Sequence, residues 1–379
     1  MDPRRSWTRA HPQAVIANRD HGRLSGICEL GGMDRSFLML LVSVVIVACG
    51  PVGERAPVEA GTAPVAKVFR GRTVSGDGPI TAYVRRIFED GRGHYWFGSN
   101  GEGVYRYDGE NLVQFTMQEG LAGEQVTGIM EDRRGRVWIA TDGGLSRYDP
   151  SDTTTATFVN YTTKDGLSAD AVWSIYEARD GTIWAGTTAG ACRYDGKAFM
   201  PFDMRVDGAM SERAPWVLCI TGDRQGELYF GTDQGAFRTH GTTVERIPGA
   251  PVGTDAMIPC MLVDGQERVW IGSMTGGITC SASGTTQRYT APGSIGDNEV
   301  WTVFEDRAGH IWFSSEGHGV YRLANGELRN YGTAQGLGIT AVQSIYQDRA
   351  GRLWFGGGGG LYRLQGDTMV EVRRVGPWR

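Results

Sequence analysis

Trp173, Trp216 and Trp301, together with Tyr83, Arg85, Gln125, Thr127, Glu299 and Gln343, are the residues of this chain whose types could recognise a ligand. Flat apolar rings stack on a sugar or an aromatic group, while a guanidinium, a carboxylate and amides fix its orientation. They are scattered over positions 83 to 343 and matter together only if the fold gathers them. Other chemistries find less support. The glycine run 356–360 leads from one expected strand to the next and opens no helix, so it lacks the helix N-terminus on which a phosphate loop depends. No Ser-His-Asp or Cys-His spacing is recognisable. A formal net charge of −5 without a basic cluster argues against nucleic acid as a partner. No cofactor and no resident metal is expected.

What must position these residues is a repeat. An aromatic marker recurs at Trp96, Trp138, Trp184, Tyr229, Trp270, Trp312 and Trp354, at spacings of 42, 46, 45, 41, 42 and 42 residues. Self-similarity at such a period decides the architecture before propensity does. Nine residues before each marker stands an aliphatic, and six before it an aspartate, with Ala178 the exception. Each unit reads as four short strands: an apolar strand ending in Asp-x-x-Gly, a strand around the aromatic marker that is apolar on both faces, a strand after a glycine carrying an arginine, and a shorter, more polar edge. The 57 glycines, about twice the usual share, serve the turns. A sheet that is apolar on both faces must be sandwiched by its neighbours, and a closed ring does this for every copy. The expectation is an all-β, seven-bladed β-propeller of four-stranded antiparallel blades over residues 66–379. Tyr83, Arg85, Gln125, Thr127, Trp173, Trp216, Glu299, Trp301 and Gln343 then fall near the starts of the inner strands, around one funnel-shaped mouth of the central channel.

The pattern h-x-x-h-x-x-D-x-x-G-x-h-W-h-G-T-x-x-G-h-x-R-Y, in this chain "VTGIMEDRRGRVWIATDGGLSRYD", resembles the two-component regulator propeller repeat. The steps "EGLAGEQV", "DGLSADAV" and "QGLGITAV" belong to the same resemblance, which covers about residues 66 to 375. It implies an exported ligand-sensing domain that detects carbohydrate or other nutrient signals. Copies four and five depart from it, with Tyr229 for Trp, Glu267 for Gly and Cys280 for Arg. Glu316-Gly317-His318 resembles the Glu-x-His of streptogramin lyase propellers, which implies a metal-binding Glu316 and a general-base His318; the equivalent turn of the preceding blade, Met274-Thr275-Gly276, carries no histidine. The leading expectation is a small molecule, glycan or protein bound at the funnel face, with a propeller lyase and a ligand-free protein-interaction scaffold as the alternatives.

Ahead of the repeats, "SFLMLLVSVVIVA" is too short to span a membrane and fits a signal-peptide core. Ile46-Val47-Ala48-Cys49 resembles a bacterial lipobox, which implies lipid modification of Cys49 and a place in the cell envelope, on an outer-membrane or periplasm-facing surface. The expected organisation is an N-terminal extension (1–32, with translation starting at Met33), a signal peptide (33–48), a tether (49–65) and the propeller. With seven repeats and no kinase core in the sequence, a separate signalling partner is expected. Cys192, Cys219, Cys260 and Cys280 occupy positions unsuited to pairing, so free thiols are expected. Two segments compete to close the ring: residues 67 to 73 are expected to pair within the seventh blade, with 369 to 375 at its edge or alongside it.

Overall fold

The computed structural model describes residues 71–151, 158–205, 213–240, 243–251, 257–282, 285–289, 298–339 and 341–378, all within the compact unit Ala60–Arg379. The expected extension, signal segment, lipidated Cys49, tether and residues 67–70 lie outside them. The chain forms seven antiparallel sheets in sequence, a seven-bladed propeller whose blades each run from an inner to an outer strand. The inner strands are Val84–Glu89, Val126–Glu131, Val172–Glu177, Val217–Gly222, Cys260–Val263, Val303–Glu305 and Val342–Gln347. Among the described residues no helix is long and apolar enough to cross a membrane.

The core lies between the blades and not at the centre. Each of the seven clusters of buried apolar residues among the described residues straddles two neighbouring blades; one joins Trp138 and Leu145 of blade two to Val172 and Ile183 of blade three, and another joins Tyr95 and Phe97 of blade one to Trp354 and Leu361 of blade seven. This is the sandwiching that two apolar faces demand. Trp96, Trp138, Trp270, Trp312 and Trp354 are all but completely buried.

The spacing of six between aspartate and marker has a cause beyond the turn. One carboxylate oxygen of Asp132 accepts the backbone N–H groups of Arg134 and Arg136 at 2.9 and 3.0 Å, and the other accepts the indole N–H of Trp138 at 2.7 Å. The indole bond recurs at Asp90, Asp264, Asp306 and Asp348, and in blade four the Tyr229 hydroxyl donates to Asp223 instead. From the other side, the strand-three arginine lies over the ring of its own blade: Arg106 over Trp96 at 5.8 Å and Arg147 over Trp138 at 5.6 Å. Arg322 and Arg363 lie likewise over Trp312 and Trp354, and an arginine that recurs with its ring marks scaffold. Neighbouring blades are latched by the acid or amide that ends an inner strand: Glu131 accepts the Gly91 N–H, Glu177 that of Arg133, Glu305 that of Gly265 and Gln347 that of Arg307, at 2.6 to 3.0 Å. Glu89 accepts the Arg349 N–H at 2.7 Å and joins the seventh blade to the first.

The Gly-Leu steps enter the next blade through short 3-10 turns, Met117–Glu119, Thr163–Asp165 and Thr333–Gln335. Gly120, Gly166 and Gly336 then take φ of 95°, 91° and 89°, which glycine adopts without strain, and Leu121, Leu167 and Leu337 are buried behind them.

Ring closure departs from expectation. Arg72–Thr73 pairs with Leu112–Phe115 and adds a fifth strand to the first blade, making no ladder with the seventh. Thr368–Val372 takes the outer place in the seventh blade through a five-pair hairpin ladder with Gly360–Gln365. A two-residue strand cannot displace that ladder, which also carries the smaller loop-closure cost. The seam is instead fastened by the C-terminal segment. The Arg374 N–H donates to the Gly78 carbonyl at 2.9 Å, and Trp378 stacks on Tyr107 of the first blade at 4.2 Å.

Candidate functional site

A recurrent β-bulge builds the mouth of the channel. The ladder between inner and second strands slips by one residue at Arg85, Thr127, Trp173, Leu218 and Gln343, each eleven positions before its marker. A bulge leaves its extra residue unpaired and re-aims its side chain. At the next position the ring carries small residues, Gly128, Ser174, Cys219, Cys260, Thr302 and Ser344, in every blade but the first, where Arg86 stands.

Arg85, buried to 8 % exposure, runs from blade one across to blade three, where its guanidinium lies 5.6 Å from the Trp173 ring. It donates to Asn100 Oδ1 at 2.9 Å, an oxygen that also accepts from Gln125 Nε2 at 2.7 Å. Arg86 donates to the carbonyl oxygens of Arg85 and Gln343 at 2.8 and 3.3 Å, tying the bulges of the first and seventh blades. Burial, reinforced by the charge of Arg85, pulls the Arg86 guanidinium down to about 10, so it remains charged at neutral pH. Two acids, Glu299 and Glu316, also act on Tyr83. Trp301 Nε1 donates to Glu299 at 3.1 Å. The Glu316 Oε2 atom is buried with no partner, and burial followed by the Glu299 charge pushes that carboxyl up to about 7. Tyr83, pushed up to about 12 by burial, feels the charges of both arginines and both acids.

The nine sequence-expected residues therefore separate. Arg85, Gln125, Trp173 and Gln343 are linked by bonds, a ring contact or the shared Arg86, Tyr83 feels the charges of both arginines, and Glu299 and Trp301 pair with each other. Thr127 is buried and donates to the Val172 carbonyl at 2.6 Å, a bond between blades. Trp216 is half-buried beside Arg213, 6.0 Å away. His318 is exposed; its Nδ1 lies 2.8 Å from the Asn298 amide nitrogen and 3.0 Å from the Glu316 carbonyl. Among the described residues no group of three or more His, Cys, Asp and Glu could hold a metal ion, and the four described cysteines are free. Arg86 and Asn100 were missed by sequence reasoning. Strand alternation puts residues 85 and 86 on opposite faces, and no turn residue announces the bulge that brings both into the channel.

Glu316 yields a stability prediction. Because its folded value is raised, ionisation opposes folding, and stability falls as pH rises from the usual carboxylate range through about 7. Glu316→Gln should therefore be more stable than the wild type by about 1–2 kcal/mol at pH 8, allowing for partial exposure, and nearly equal to it near pH 4. Urea midpoints at the two pH values measure this; a gain of the same size at both would refute it.

The model of the two component regulator propeller family matches residues 120–143, 166–189, 294–317 and 336–359, the second, third, sixth and seventh copies. No curated protein matches the chain. Among solved structures, one described as the extracellular domain of a hybrid two-component system from B. thetaiotaomicron is similar with a TM-score of 0.63 at 20% identity over 74% of this chain, which spans 39% of that one. A streptogramin B lyase is similar with a TM-score of 0.61 at 15% identity, covering 80% of this chain and 99% of the other. An inactive virginiamycin B lyase from Staphylococcus aureus, solved with quinupristin, gives 0.58 at 16% identity, covering 77% and 97%. At these identities the structures share the fold alone. Four of the seven blades carry segments that match the two component regulator propeller repeat, in a chain closed into a ring of seven.

Proposed function

We propose that this propeller is an exported ligand-sensing domain, held to the cell envelope through a lipidated Cys49 and a tether over 49–65, that binds a small molecule, glycan or protein at its funnel mouth and passes the signal to a separate partner. The observation that carries this reading is the Arg85 guanidinium laid across the channel over Trp173, with Asn100 and Gln125 fixing it from the side. A polar group and an aromatic face held at a channel mouth orient and stack a ligand. A scaffold would leave these positions free to vary without effect, and a lyase would rest on Glu316 and His318.

A panel of metabolites and glycans screened by calorimetry against the purified protein is expected to yield a ligand whose affinity falls at least about tenfold in Trp173→Ala, the loss of one stacking face. Unchanged affinity in that variant would move the binding surface elsewhere. Turnover of a panel member that His318→Ala abolishes would establish the lyase instead.

A further inference from the structure

We infer that the channel mouth is an anion site and that the ligand it recognises carries a carboxylate, received by Arg85 above a floor formed by Arg86. This rests on the ligand-binding reading of the same mouth. Several arginines of the propeller belong to the repeat, stacked on their own blade's tryptophan or paired with the turn aspartate. Arg85 and Arg86 belong to neither set. They occur once in the ring, at positions filled elsewhere by Thr127 and Gly128, Trp173 and Ser174, or Gln343 and Ser344.

Two adjacent guanidinium groups are thus placed in the channel, and among the described residues their hydrogen bonds go to an amide oxygen and to backbone carbonyls, with no carboxylate paired to either. Arg85 is more than nine-tenths buried and its Nε has no hydrogen-bond partner among the described residues. The Asp142 carboxylate acts on Arg85 electrostatically, while the hydrogen bond goes to Asn100; buried cations with no directly bonded counter-charge are costly, and an anion that reaches them gains charge-assisted hydrogen bonds in exchange. Arg86 is itself within electrostatic reach of the Cys219 and Cys260 thiols of blades four and five. Recognition falls at the mouth, beside the Trp173 ring. The partner's charge is bounded by two nearby acids. Glu299 and Glu316 act on the same Tyr83 as the two arginines, so a phosphate dianion meets more repulsion from them than a singly charged planar carboxylate matched to the guanidinium fork.

Matched acid and amide probes test this on the whole protein: acetate and acetamide, lactate and lactamide, benzoate and benzamide, with sodium chloride at equal ionic strength and inorganic phosphate as comparisons. Thermal unfolding and calorimetry should show saturable binding of at least one carboxylate, at least about tenfold tighter than its amide. Arg85→Gln should weaken it by a further factor of about ten or more, while circular dichroism confirms the fold. If carboxylate and amide bind alike, if chloride reproduces the shift, or if phosphate binds tighter than every carboxylate, the inference fails. The acid–amide comparison needs no variant, so a misfolded Arg85→Gln leaves it decisive. Neutral glycans or metabolites that bind in a Trp173-dependent way while no carboxylate does would overturn the anion site and leave the ligand-binding reading standing. Failure of every class would remove both.

Discussion

Asp348→Ala should cost the propeller about 3–5 kcal/mol, the largest loss expected from any single side chain described in this ring. Asp348 is fully buried. One oxygen accepts the Arg352 N–H at 2.8 Å; the other accepts Arg352 Nε at 2.6 Å, Trp354 Nε1 at 2.8 Å and the Tyr95 hydroxyl at 2.9 Å. Tyr95 belongs to blade one, so a single carboxylate joins turn, marker and ring seam. Alanine would leave an arginine, an indole and a phenol without their shared acceptor, and stranded partners cost more than the bonds themselves are worth. Burial pushes the Asp348 carboxyl up, but the bonds from Trp354, Arg352 and Tyr95 prevail and hold it below its ordinary range. Its stabilising contribution is therefore complete above the usual carboxylate range and is lost as pH falls through the lowered folded value. Urea denaturation should accordingly show a gap between wild type and Asp348→Ala that is full at pH 7 and narrows below about pH 4. Asp223→Ala is the internal comparison and should cost less: one oxygen accepts the backbone N–H groups of Gln225, Gly226 and Glu227, the other accepts the Tyr229 hydroxyl at 3.1 Å, and among the described residues no arginine side chain is bound to it. Equal losses at the two sites would show that the seam adds nothing.

What could be read from the chain follows what the repeat enforces. The aspartate and its marker recur because five of the seven copies solve the same problem, a buried indole N–H that needs an acceptor six residues back, and so the blade count was legible. Arg85 and Trp173 were legible by counting from the markers. Arg86 was not, because its neighbours around the ring are small residues that look like packing, and the bulge that admits it lies in hydrogen-bond register, which no residue type encodes. Glu267 illustrates the same limit from the opposite side. It replaces glycine yet adopts the same left-handed turn, at φ 61°, because the surrounding blade dictates the backbone there. The seam was least legible of all, since closure happens once and leaves no period to detect.

The seam also carries the second large effect. Trp378 is 9 % exposed although it lies outside every repeat. Its ring stacks on Tyr107 at 4.2 Å and 16° and reaches Phe97 at 5.8 Å, both in the first blade. Its carbonyl accepts from Arg352 of the seventh at 3.1 Å. The outer edge of the seventh blade is already filled by its own hairpin, so this ring does from the side what a shared strand would do through its ladder: it ties first blade to last. Trp378→Ala should therefore cost about 3 kcal/mol, the lower end for deleting a buried tryptophan, because the segment around it can relax. Trp378→Phe, which keeps a stacking face, should recover more than half of that. Since the loss is confined to one interface, hydrogen exchange should quicken in strands of blades one and seven before it does in blades three and four. A loss below about 0.5 kcal/mol, or exchange that quickens evenly around the ring, would mean that the Glu89, Asp348 and Arg374 bonds hold the closure without the tryptophan.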